Sequence, residues 1–186
     1  MIYINDKIHA LDLTAALAAV GRERREYALR YHAELDRRLS VAAFLLLQRA
    51  LRLEFGIEHT PRFGFGPNGK PFLPDYPEIH FNLSHCREAA ACVVDTHPVG
   101  IDVECIDHFD KDLLSHTMND DEQQLILNSM RPDIEFIRLW TMKESLLKLT
   151  GQGISNELNS ILSNQEAYRF HTSVHPNYIC TVCTHA

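Results

Sequence analysis

Val99-Gly100-Ile101-Asp102-Val103-Glu104 alternates Val, Ile and Val with Gly, Asp and Glu, and that alternation predicts a strand with two unlike faces. Alternate side chains of a strand share a face. Val99, Ile101 and Val103 therefore point one way, into a core, while Asp102 and Glu104 point the other way together. Two carboxylates side by side repel unless something positive lies between them. A hard divalent cation suits the pair, since Mg²⁺ takes a few carboxylates with water and phosphate oxygens. The plain alternative is a solvated strand face, because D-x-E is a common pattern.

Upstream, Ile79-His80-Phe81-Asn82-Leu83-Ser84 alternates in the same way and predicts a second strand, with His85 at its end. Residues 89–94 predict a third, joined to 99–104 by the turn Asp95-Thr96-His97-Pro98. Downstream, residues 134–150 predict a helix with Phe136, Trp140 and Leu147 on one stripe and Gly151 at its stop. Glu144 lies on the flank of that stripe, Lys148 follows it by four residues, and Lys143 falls within the apolar arc. Charged groups on a core-facing helix are costly without partners. Two readings follow: a surface Glu144–Lys148 pair, or a third carboxylate beside Asp102 and Glu104 with Lys148 reaching a phosphate.

The flanks make the fold class α+β. The first 13 residues read as a strand leading into a helix, and residues 14–55 read as helical. The run Val41-Ala42-Ala43-Phe44-Leu45-Leu46-Leu47 predicts a buried central helix, capped by Ser40 and ended by Gly56. Residues 56–78 are rich in proline and glycine and read as loop with short extended pieces. Within them Gly66-Pro67-Asn68-Gly69-Lys70-Pro71 is a stiff turn offering backbone N–H groups and one lysine, without Walker spacing. Residues 120–128 predict a helix, and 168–184 one or two strands.

The formal charge of the 186 residues is −7, which argues against a general nucleic-acid binder. The charge is uneven. Residues 1–70 hold 11 basic and 8 acidic side chains, residues 71–186 hold 7 and 17, so the halves are expected to face different partners. No apolar run approaches the roughly 20 residues of a membrane span. Asp6 and Lys7 fall where a signal peptide is apolar, and five cysteines without a regular framework read as free thiols. A cytoplasmic location is the expectation. Cys180 and Cys183 have C-x-x-C spacing, with His171, His175 and His185 nearby, yet strand alternation sends the two thiols to opposite faces, against a zinc module.

Taken in order, Gly69-Lys70-Pro71, Phe81-Asn82-Leu83-Ser84-His85, Val99 to Glu104, and Trp140-Thr141-Met142-Lys143-Glu144-Ser145-Leu146-Leu147-Lys148 resemble the 4′-phosphopantetheinyl transferases of the single-chain, two-lobed type. Arg30-Tyr31-His32 and Arg37-Arg38 resemble that family's basic first-lobe segment more loosely. The resemblance covers about residues 22–153. Each motif is weak alone; four in order are specific.

The resemblance implies two similar α+β lobes related by a pseudo-two-fold, here residues 1–95 and 96–186, with coenzyme A in the cleft between them. It implies transfer of the phosphopantetheine arm of coenzyme A to a serine of an apo acyl, peptidyl or polyketide carrier protein, releasing adenosine 3′,5′-bisphosphate, by a monomer. Asp102, Glu104 and Glu144 would hold Mg²⁺ against the pyrophosphate. Glu144, directly or through a water, would also take the serine proton, and Lys148 would neutralise pyrophosphate charge. Ser84 and His85 would bind coenzyme A phosphates, Lys70 would sit by the nucleotide, and Arg38 would add positive charge near the 3′-phosphate. The chain departs from the family at Arg22-Glu23-Arg24-Arg25-Glu26, where Glu23 and Glu26 fall at lysine positions. Removal of one of the clustered carboxylates is expected to relieve repulsion and leave the fold intact. A metal-dependent phosphoesterase or nuclease would use similar carboxylates, but a nuclease needs a basic groove.

Overall fold

In the computed structural model, which describes residues 1–109, 111–153 and 158–186, the apolar run after Ser40 lies inside a 22-residue helix, α3 (Glu34–Phe55). It buries Leu39, Ala43, Leu47, Ala50 and Leu51 against one face of an antiparallel sheet. That sheet has the order β1 (Ile2–Asn5), β5 (Ala90–Asp95), β4 (His80–His85). Two shorter helices, α1 (Leu13–Ala19) and α2 (Arg22–Ala28), cover α3 through Ala16, Val20 and Ala28. The predicted helical stretch is thus broken into three. Asp12 caps α1, accepting from the Ala15 N–H, and Gly21 starts α2.

Ser40 does not cap α3. The helix begins two turns earlier, at Glu34, with Glu34 and Asp36 placed favourably in its first turn. Ser40 is buried, and both its hydroxyl and its carbonyl accept from Arg24 Nη2, at 2.7 and 2.6 Å. Gly56 ends the helix as predicted, in the left-handed conformation with φ 69°.

A two-stranded ribbon, β2 (Gly64–Phe65) and β3 (Pro71–Phe72), carries the stiff turn. The second sheet has the order β6 (Val99–Cys105), β8 (Tyr178–His185), β7 (Tyr168–Val174), all antiparallel. Its inner face sets Val99, Ile101, Val103, Cys180 and Val182 against Ala91 and Val93 of the first sheet and the adjoining Ala89. Its outer face receives α6 (Pro132–Thr150) through Ile179 and Cys183 against Met142, Leu146 and Leu149. The result is four layers, helix, sheet, sheet, helix, with β6 in the middle. Cys180 and Cys183 lie on opposite faces of β8, as strand geometry requires, and all five thiols are free and buried.

Two pieces had no clear signal in the sequence: α4 (Lys111–Thr117) and a 3₁₀ run, Leu158–Ala167. Both flank α5 (Asp120–Leu127), whose start is a capping box between Asn119 and Glu122. Lys143 explains why they gather there. Its ammonium, fully buried, donates to Glu122 Oε2 at 2.6 Å, to the Thr117 carbonyl at 2.8 Å and to the Leu158 carbonyl at 2.9 Å. Three acceptors supply what the apolar arc cannot. No helix among the described residues is long and apolar enough to cross a membrane.

Candidate active site

Helix α6 lies directly on β6 because position 100 has no side chain. A Cβ there would stand 2.5 Å from the Leu149 amide nitrogen and closer still to the Ser145 carbonyl oxygen. This close approach sets the acidic face of β6 against the Glu144 and Lys148 turns of the helix.

The centre of the cluster is Asp102, 1% exposed. Its Oδ1 accepts from Lys148 Nζ at 2.5 Å and from the Ser84 hydroxyl at 2.9 Å. The Ser84 oxygen also accepts from Lys148 Nζ at 2.9 Å and from the Val103 N–H at 3.2 Å, so its one donor and two acceptor sites are all used. Lys148 therefore pairs with Asp102 rather than with Glu144. This corrects the expected relief of repulsion on removing a carboxylate: Asp102 neutralises an ammonium, and deleting it strands that charge.

Glu104 and Glu144 complete the acidic face. Burial and the Asp102 charge push the Glu104 carboxyl up to about 7, against the pull of Lys148 and of the neighbouring Trp140 side chain. Burial and Asp102 also raise Glu144, with Lys148 opposing. Asp102 Oδ2 and Glu144 Oε1 are buried without a hydrogen-bond partner among the described residues. Those residues contain no group of three carboxylates, imidazoles or thiols already drawn into a metal cage. What they contain is two unpartnered carboxylate oxygens and a third carboxyl held near neutrality, which suits a divalent cation.

His85, at the end of β4, keeps an exposed edge. The packing around its ring and the Lys148 charge lower its pKa, while Asp36 raises it and Arg24 lowers it further. Arg38 lies on α3. It donates to Glu34 Oε1 at 2.6 Å and to the carbonyls of Leu11 and His9, binding the N-terminal segment to α3. Arg24, read in the sequence only as part of a basic run, also carries charge that reaches His85.

Lys70 lies at the other end of β4. Its ammonium donates to the Leu149 carbonyl at 2.7 Å, and Asn68 Nδ2 donates to the Gly151 carbonyl at 2.9 Å. The turn thus satisfies the carbonyls left open at the end of α6. Burial lowers the Lys70 pKa. A pocket of about 480 Å³ opens here, lined by Lys70, Leu73, His80, Phe81, Pro98 and Leu149 among others. Sequence reasoning missed the hydrogen bonds that join Ser84, Asp102 and Lys148. Their spacing carries no signal, since the three come from different elements.

The 4′-phosphopantetheinyl transferase superfamily model matches residues 98–183, the part of the chain that holds β6 and α6. A 4′-phosphopantetheinyl transferase of Bacillus subtilis is 31% identical over 163 residues, which are 86% of this chain and 72% of that protein. The chain belongs to the 4′-phosphopantetheinyl transferase superfamily. Two further relatives are similar over much of the chain. The transferase psf-1 of Bacillus pumilus is 35% identical over 144 residues, 76% of this chain and 62% of that protein. HetI of Nostoc sp. strain PCC 7120 is 32% identical over 174 residues, 87% and 72%. Alignments over 76 to 87% of the chain reach beyond the part matched by the superfamily model.

Proposed function

We propose that the protein transfers 4′-phosphopantetheine from coenzyme A to a serine hydroxyl of an apo carrier protein, with Mg²⁺ required. The observation that carries this reading is the cluster of Ser84, Asp102 and Lys148 beside the unpartnered oxygens of Asp102 and Glu144. Asp102, Glu104 and Glu144 would hold Mg²⁺, which supplies charge stabilisation to a departing pyrophosphate oxygen. Lys148 stands ready to neutralise phosphate charge in a partly buried setting, where such charge matters more than in water. Glu144, with its pKa raised, is suited to accept the serine proton, because a base works best when its pKa nears the working pH. His85 and Ser84 border the phosphates, and Lys70 with the adjoining pocket suits the nucleotide. Two similar lobes, 1–95 and 96–186, are supported by α3 on the first sheet and α6 on the second. A cytoplasmic monomer is part of the same proposal. The acidic second half disfavours a nuclease.

The test is direct. Incubation with coenzyme A, Mg²⁺ and a panel of apo fatty-acid, polyketide and peptide-synthetase carriers is expected to add one phosphopantetheine mass to at least one carrier. No mass gain on any, or hydrolysis of a generic phosphodiester instead, would overturn the reading.

The raised carboxyls also fix a pH dependence. A folded-state pKa of about 7 at Glu104 exceeds the usual carboxylate value, so the folded protein binds the extra proton. Metal-free stability should therefore fall as pH rises from about 4.5 to about 7. Mg²⁺ binds the ionised form, so its stabilising effect should grow over the same interval. Thermal unfolding at pH 5, 6, 7 and 8, in chelator and in excess Mg²⁺, reads both. A Tm flat in pH and indifferent to Mg²⁺ would remove Glu104 from the metal set.

A further inference from the structure

β6 is an edge strand. β8 takes the hydrogen bonds of one side, and the N–H groups of Ile101 and Val103 point to the other. No strand among the described residues pairs with them there. Two side chains of β4 do instead. Asn82 Oδ1 accepts from the Ile101 N–H at 3.0 Å, and Ser84 Oγ accepts from the Val103 N–H at 3.2 Å. Both acceptors are buried, Asn82 at 5% exposure and Ser84 at 7%. Two residues apart on β4, they meet amides two residues apart on β6, so the strands run side by side in the same direction. Asp102 lies between the two stitched amides.

From this geometry we infer that Asn82 is a positioning residue: it sets the register of β6 against β4 and so holds Asp102 where Ser84 and Lys148 meet it. Ser84 cannot do this alone. A single bond ties β6 to β4 at one point only, and Ser84 also serves Asp102 and Lys148. Asn82 makes the second point of attachment, with a side chain that enters none of the cluster's hydrogen bonds. An unsatisfied buried amide at Ile101 would favour a shift of β6 toward any other acceptor.

The inference rests on the transferase reading, and the experiment separates the two. Wild type, Asn82→Ala and Asn82→Ser are compared. Serine restores a hydroxyl acceptor of the kind that already reaches Val103 from position 84. Amide hydrogen exchange needs no substrate: Ile101 is expected to exchange at least about tenfold faster in Asn82→Ala, and near the wild-type rate in Asn82→Ser. In carrier loading, Asn82→Ala should lower kcat about tenfold or more with the KM for coenzyme A within about twofold, and Asn82→Ser should regain most of kcat. If Asn82→Ala does not fold, Asn82→Ser alone decides, and must keep kcat within about threefold of wild type. A folded Asn82→Ala with unchanged kcat, a change confined to KM, or unchanged Ile101 exchange overturns the positioning role. A wild-type protein that loads no carrier overturns the transferase reading and leaves the exchange result to judge the stitch.

Discussion

Asp102→Ala is expected to reduce carrier loading by about 10³-fold or more. The side chain has two tasks at once. Oδ1 holds Lys148 at 2.5 Å and Ser84 at 2.9 Å, and Oδ2 is left buried and unpartnered, open to a cation. Alanine removes a proposed metal ligand and also frees Lys148 to swing from its place. Stability should fall too. Breaking a fully buried ion pair costs about 3–5 kcal/mol, because the remaining charge loses its partner. Lys148 is 29% exposed at its side chain and keeps some water, so a smaller loss of about 2 kcal/mol is expected here. Carrier mass spectrometry reads the first effect and urea unfolding the second. Near-normal turnover with Mg²⁺ present would remove Asp102 from the site. An undiminished unfolding free energy would mean that the Lys148 contact contributes little to the fold.

Gly100→Val should be the most damaging single change to the fold. Only hydrogen separates β6 from the backbone of α6 at this point, and the atoms a Cβ would meet are main-chain atoms that cannot rotate away. Overpacking a core typically costs about 1–3 kcal/mol where side chains adjust. Here a helix must shift instead, and a loss of about 3 kcal/mol or more is expected. For a chain of this size that corresponds to a Tm lower by about 6–12 °C. The same shift would carry Glu144 and Lys148 away from Asp102, so any soluble variant should load carriers poorly. Thermal unfolding of purified protein is the measurement. A Tm within about 2 °C of wild type would show that the two elements have room to separate.

The elements that carry the cluster were readable because their patterns are local. Alternation over 99–104 put Asp102 and Glu104 on one face, and helical spacing put Glu144 and Lys148 one turn apart. The stops at Gly56 and Gly151 were equally clear, since both adopt the left-handed conformation that glycine enters most readily. Ser40 misled for an instructive reason. It has the chemistry of a cap, but the oxygen of a buried serine answers whichever donor arrives, and Arg24 arrives from another helix. Arg38, proposed to add positive charge near the 3′-phosphate, shares its guanidinium with Glu34, four residues away, a pairing that the basic run alone did not reveal.

Composition and periodicity were sufficient for the α+β class, the acidic strand, the charged helix and the ordered motifs of the transferase superfamily. Each of these depends on residues near one another in the chain, where side-chain direction follows from backbone geometry. Partner choice was not available at that level. That Lys148 holds Asp102 rather than Glu144, that Lys143 is satisfied by three segments, and that Asn82 and Ser84 stand in for a missing strand all depend on which elements pack together. These contacts join residues up to 46 positions apart, and burial is what makes their hydrogen bonds obligatory.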